Sequence, residues 1–159
     1  VPHTFYLLKW LFGEVKELNA FTSQIYQVGS EVEDNADVGG RLKNGVEFLS
    51  SFTFTAEIPH SERLEVYGAT GALIVDQLAN PPVKFYAEPT DFDGSPVEGP
   101  EYDPMGWHYF SIVEEVKDFV RTLRAGQPPT VDPLDCCYAV HVIEKAYESA
   151  RNNGKRVQV

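Results

Sequence analysis

Residues 37–56 read DVGGRLKNGVEFLSSFTFTA, and this stretch decides the fold. Asn44-Gly45 separates two runs rich in β-branched and aromatic residues, the pattern of a β-hairpin. A two-residue type I′ turn needs φ > 0 at both central positions, which Asn-Gly tolerates. Beyond the turn, Val46, Phe48, Ser50, Phe52, Phe54 and Ala56 alternate with Glu47, Leu49, Ser51, Thr53 and Thr55. Alternate residues of a strand face opposite sides. The first, mostly apolar set is therefore expected to point at a core, and the second to face water or a partner that tolerates polarity.

Upstream, residues 3–12 (HTFYLLKWLF) read as a helix ended by Gly13, with Phe5, Leu8 and Phe12 on one face, joined by Leu11, and Lys9 elsewhere. Residues 15–27 read as a strand. Glu31, Glu33, Asp34 and Asp37 then form an acidic link, read as a solvated loop because their spacing fits no calcium loop. Downstream, ERLEVY (62–67) and ALIVD (72–76) are strands joined by Gly68-Ala-Thr-Gly71. This turn lacks both the Lys-Ser/Thr of a phosphate loop and a helix to follow it. VKFYA (83–87) is a further short strand, and 88–107 a long loop rich in Pro, Gly and acid. Within that loop Asp91 and Asp93 make an incomplete metal-ligand set, so no metal site is expected.

Two helices close the chain. The first, 108–125, carries Ile112, Val116, Phe119, Val120 and Leu123 at amphipathic spacing and stops at Gly126. The second opens on Asp132-Pro133, an N-cap followed by proline at the first helical position. Asp135 adds favourable charge to its first turn. Its buried face is Ala139, Val142, Ile143, Ala146, Tyr147 and Ala150. Gly154 ends it, and 156–159 reads as a last edge strand. The expected fold is α+β, a single domain over residues 1–159: an open-faced, largely antiparallel sheet with helices packed on one face. Its core is expected to gather Phe48, Phe52, Phe54, Leu64, Val66, Phe119, Val120, Ile143 and Tyr147.

A net charge of −11 argues against nucleic acid and anionic membrane surfaces as partners. No apolar run approaches the roughly 18–20 residues of a membrane-spanning helix. Cys136 and Cys137 are adjacent within a helix, so free thiols and a reducing, cytoplasmic compartment are expected. The chain opens Val-Pro-His without Met, as a piece cut from something longer would. His3 allows two readings: a polar residue in a first helical turn, or an imidazole facing a ligand as acid, base or donor.

Taken together, the order of these features resembles a known family. The features are ERLEVYG (62–68), EVKDFVRTLRAG (115–126), Pro129-Thr-Val131, Asp135, AYESA (146–150), and the opening Val1-Pro-His3-Thr-Phe-Tyr6 that leads to Lys9-Trp-Leu-Phe-Gly13. The resemblance is to the C-terminal domain of the glucose–fructose oxidoreductase / inositol dehydrogenase (Gfo/Idh/MocA) family. It implies a parent with an N-terminal Rossmann domain that binds NAD or NADP and carries a Glu-Lys-Pro lysine. Neither that motif nor Gly-x-Gly-x-x-Gly is in this chain, so no cofactor-binding residue is assigned here. It also implies a histidine on the first helix that handles substrate hydroxyls, a position His3 matches, while Pro2 and Tyr6 depart from the family pattern. His3 is thus the candidate catalytic residue. Trp107, His108 and Tyr109, where the long loop meets a helix start, are candidates for substrate binding.

The expected function is the substrate-side and oligomerisation half of an NAD(P)-dependent sugar or polyol oxidoreductase, inactive alone. The alternative is a binding or assembly module without chemistry. Glu47, Leu49, Ser51, Thr53, Thr55, Tyr67, Ile74 and Tyr86 are expected on the open face of the sheet, which is too apolar for idle surface. The resemblance likewise implies that this face makes a homodimer.

Overall fold

The computed structural model of the chain describes residues 2–26, 29–56, 61–79, 82–86 and 107–159, without the side chains of 107–109. Its elements run α1 (Pro2–Phe12), β1 (Val15–Ser23), β2 (Asn35–Leu42), β3 (Glu47–Thr53), β4 (Arg63–Gly68), β5 (Gly71–Asp76), β6 (Val83–Tyr86), α2 (Trp107–Arg124), α3 (Pro133–Arg151) and β7 (Val157–Gln158). Every described strand pairing is antiparallel, and the α+β class holds. The strands divide between two sheets, ordered β3-β2-β1-β7 and β4-β5-β6. By internal contacts the chain forms two compact units, Val1–Ala56 with Pro129–Val159, and Glu57–Pro128.

In the first unit, α1 packs on α3 and α3 on β1. The inner face of the sheet carries Val15, Leu18, Ala20, Val38 and Leu42, all buried, with Phe48 and Phe52 packed against them. Val15 and Leu18 both point inward, although a regular strand would send residues three apart to opposite faces. A bulge between Val15 and Glu17 absorbs the extra residue and restores the phase. Ala139, Val142 and Ala146 complete the core from α3, as their spacing predicts. Ser149 is fully buried there: its Oγ accepts the Ala20 amide at 2.9 Å and donates to the Lys155 carbonyl at 2.7 Å. The Ala20 amide lies beyond the short β7 pairing and would otherwise be an unpaired edge donor.

The hairpin forms, but not through a type I′ turn. Gly45 has φ +93° while Asn44 stays at negative φ. The Gly45 amide bonds to the Leu42 carbonyl at 3.0 Å and the Leu42 amide to the Val46 carbonyl at 2.8 Å. This is the three-residue hairpin loop with glycine at its left-handed position. The Asn44 side chain reaches out of the loop, and its Nδ2 donates to the Phe12 carbonyl at the end of α1, 2.8 Å away. At the far end the alternation stops with the strand. Phe52 is half-buried and Thr53 exposed, but Phe54 is 82% exposed, because the chain has left the pleat and its amide bonds to the Asp34 carbonyl. Val46, next to the loop, is exposed as well.

Other expectations are corrected. The acidic link is no simple solvated loop. Asp34 is buried and accepts the amides of Ile25 and Tyr26 at 2.9 and 2.8 Å, Glu33 accepts the Tyr147 hydroxyl at 2.7 Å, and Asp37 lies in β2 bonded to Ser51. Tyr147 is therefore occupied with that hydrogen bond rather than with the core cluster. On α1, Leu11 is exposed, and Lys9 takes the place expected of an apolar residue.

In the second unit, β4, β5 and β6 form a meander whose register sets Leu64, Val66, Leu73, Val75, Val83 and Phe85 on one face. Leu64 and Val66 belong to this small sheet, not to the core cluster of the first unit. Gly68–Gly71 closes the β4–β5 hairpin, as read. The amphipathic stripe of α2 forms, yet Phe119 is 58% exposed and Val120 is exposed too, so neither joins the core. Amphipathic spacing shows that a helix face is apolar and does not say which surface covers it.

Candidate functional site

The first helix is apolar almost all round, which sets the character of the site. Phe5 is fully buried between the rings of Phe48 and Phe52, with centroids 6.5 and 6.2 Å away. Gly13, at φ +104° with its amide on the Lys9 carbonyl at 2.9 Å, ends the helix. The opposite side begins with His3, which is exposed and makes no hydrogen bond or ion pair with any described residue. Leu7, Trp10 and Leu11 follow it at the spacing of one helix face, all exposed, Trp10 by 72%. An imidazole thus heads an apolar stripe that no described residue covers. The sequence reading missed this stripe, although its signal was there: residues four, seven and eight beyond His3 are all apolar.

Behind the stripe sits a charged network. The Lys9 ammonium donates to Asp135 in the first turn of α3, lies 4.7 Å from the centroid of the Tyr138 ring, and is 3.9 Å from Glu14. Lys43 meets the other oxygen of Glu14 at 2.6 Å. The Tyr138 hydroxyl accepts the Val15 amide at 2.5 Å. The hydrogen bond to Asp135 holds the Lys9 ammonium above its ordinary value. The bond from Lys43 holds the Glu14 carboxyl below the usual carboxylate range, and burial pushes the Tyr138 phenol up. Each charge here is paired, so the network secures the helix and leaves no group poised for proton transfer.

Trp107, His108 and Tyr109 form the first turn of α2, and their side chains lie outside the described residues, as do Asp91 and Asp93. Of the four candidate site residues the structure therefore describes the side chain of His3 alone. Among the described residues no group of three or more His, Cys, Asp or Glu is placed to hold a metal ion. No described helix is long and apolar enough to cross a membrane. A dinucleotide needs a glycine turn running into a helix N-terminus, and the described glycine turn at 68–71 instead joins two antiparallel strands. The described residues do not fit a nicotinamide cofactor.

Comparison with known proteins bears on the fold. Residues 1–74 match the family model described as the GFO/IDH/MocA C-terminal domain. The chain is 26% identical over 157 residues to myo-inositol 2-dehydrogenase of Thermotoga maritima, a match covering 94% of this chain and 46% of that protein. Its fold is that of the WlbA dehydrogenase from Bordetella pertussis, solved with NADH and UDP-GlcNAcA, at TM-score 0.79 and 20% identity over 99% of this chain and 46% of that one. It is also that of a levoglucosan dehydrogenase solved with NADH, at TM-score 0.83 and 17% identity over 99% of this chain and 48% of that one. The chain thus spans about half the length of the relatives it matches.

Proposed function

We propose that the chain is a C-terminal domain of the GFO/IDH/MocA family, the substrate-side half of an NAD(P)-dependent oxidoreductase acting on a sugar or polyol; the family-model match over residues 1–74 and the inositol dehydrogenase relative support this reading. The observation that carries the reading is the exposed His3 at the head of the uncovered Leu7–Trp10–Leu11 stripe. Oxidising a carbinol removes a hydride from carbon and a proton from oxygen. The hydride acceptor is a nicotinamide, which belongs to the half of the parent that this chain does not match. His3 serves the proton: a neutral imidazole accepts it from the substrate hydroxyl, and the carbonyl forms as the carbon loses its hydride. The apolar stripe supplies a surface on which the cofactor-binding half docks and from which water is excluded. Relatives solved with NADH, one of them also with a nucleotide sugar, support the nicotinamide and the carbohydrate class. The exposed free thiols of Cys136 and Cys137 fit a reducing, cytoplasmic setting.

The reading is tested in the full-length parent, with myo-inositol and NAD⁺ or NADP⁺ as probes and NAD(P)H absorbance as readout. His3→Ala should lower kcat by roughly 10²-fold or more, the scale of general-base catalysis, and leave the melting temperature nearly unchanged. Turnover unchanged by the substitution returns His3 to a surface residue and favours the assembly module.

A further inference from the structure

One charged side chain interrupts the inward side of α1. Lys9 follows Phe5 by one turn, on the side facing the rest of the unit, where Phe5 is fully buried. An aliphatic residue there would need no desolvation of an ammonium. Only about a quarter of the Lys9 side chain is exposed, against about a third for Asp135, and a partly exposed pair of this kind adds little net stability. What it does add is discrimination between alignments, the best-attested role of a polar pair in an apolar helix contact. Slide α1 along α3 by one turn, about 5.4 Å, and Phe5 or Gly13 comes opposite Asp135, which loses its cation, while Lys9 keeps only the longer contact to Glu14 at 3.9 Å. The alignment is braced from two sides, by the Tyr138 ring under the ammonium and by the Val15 amide on the Tyr138 hydroxyl. His3 lies six residues from Lys9 on the same rigid helix, about 9 Å along its axis, so any shift at Lys9 reaches the imidazole.

We infer that the Lys9–Asp135 pair, braced by Tyr138, fixes the register and rotation of α1 on α3 and is the positioning device for His3. The inference rests on the reading of His3 as the proton acceptor. On this inference Lys9 and Asp135 act through the helix that carries the imidazole.

Two readouts test it. In the 159-residue chain, nuclear magnetic resonance follows the α1 amides and the His3 imidazole carbon-bound protons in Lys9→Met, Lys9→Arg and Asp135→Asn. Met and Asn should shift the whole set of amides from residues 3 to 12 together with the His3 ring protons. Arg keeps the pair and the stacking on Tyr138 and should leave the set in place. In the parent, Lys9→Met should lower kcat on myo-inositol roughly 10- to 100-fold, the scale of an ångström's misplacement, with KM little changed and activity restored in Lys9→Arg. Unshifted α1 and His3 resonances in both Met and Asn variants overturn the inference. So does an Arg variant that shifts as far as Met, because packing rather than the pair would then set the helix. If His3→Ala leaves the parent's turnover intact, the functional reading fails, and the resonance measurement still decides the positioning role on its own.

Discussion

Phe5 is the residue on which the first unit turns. Its ring is fully buried between Phe48 and Phe52, which belong to a strand more than forty residues away in sequence. Phe5→Ala should cost about 3–5 kcal/mol, the range for large aromatic truncations in a core. Chemical denaturation should show a lower midpoint with an unchanged slope. Phe52, only half-buried, should cost less. Gly40 shows the same close packing from the backbone side: a Cβ there would stand 2.4 Å from the Glu17 carbonyl oxygen and 2.8 Å from the Phe48 ring. The Glu14–Lys43 pair makes a pH prediction. The Glu14 carboxyl is held below its ordinary value of 4.5, chiefly by the Lys43 hydrogen bond. A depressed carboxylate stabilises the fold above its unfolded pKa and loses that contribution as pH falls through the folded value. Lys43→Met should therefore be less stable than the unsubstituted chain near neutral pH, and the two should converge in acid below pH 4.5. Thermal melts at neutral pH and well below that value check the sign; Lys43 is exposed and Glu14 partly so, and the difference should therefore be small.

Among the elements, α3 carries the clearest start signal and α1 the most informative end. Asp132 accepts the Leu134 amide at 2.8 Å, with Pro133 at the first helical position. Asp132→Ala should cost about 1 kcal/mol, the usual loss of an N-cap, while Asp132→Asn should recover most of it; urea denaturation of the three proteins checks this. The end of α1 is held by an element of its own unit: the Asn44 amide caps the Phe12 carbonyl. The hairpin loop therefore seals a helix as well as reversing a strand. The left-handed Gly45 leaves Asn44 at negative φ, with its oxygen on the Val46 amide and its nitrogen on Phe12.

For the whole molecule, the outer faces of the two sheets bear on assembly. In the four-stranded sheet, Glu47, Leu49, Ser51 and Thr53 all face outward, and Leu49 is 78% exposed. Tyr67, Ile74 and Tyr86 share one face of the three-stranded sheet, as their register requires. Leu49 among small hydroxyl side chains suits a face that meets another protein surface, and a two-fold contact between copies is the commonest form such a surface takes. We propose a homodimer through the outer face of β3, burying on the order of 1,200–2,000 Å². Light scattering at micromolar concentration should give twice the chain mass, and Leu49→Lys should return it to the mass of one chain. A single-chain mass for the unsubstituted protein overturns the expectation of a dimer.

Local order determined what could be read without coordinates. Alternation from Glu47 to Phe52, the Asn44-Gly45 reversal, Gly13 after an apolar run and Asp132-Pro133 before one each depend on short-range sterics and on hydrogen bonds between near neighbours, so the α+β class and most element limits were legible. The sequence placed His3 on the first helix, and the family resemblance, rather than its neighbours, made it a candidate. What only the tertiary structure decided is non-local. The bulge at Val15–Glu17 depends on the partner strand, and the burial of Asp34 on amides eight and nine residues back. The inward turn of Lys9 depends on an aspartate 126 residues away. Periodicity names an apolar face but not its cover, which is why the Phe119 and Val120 stripe formed as expected and yet lies exposed. The same limit hid the Leu7–Trp10–Leu11 stripe: the burial of Phe5 had to be seen before the opposite side of α1 stood out as a surface left open beside His3.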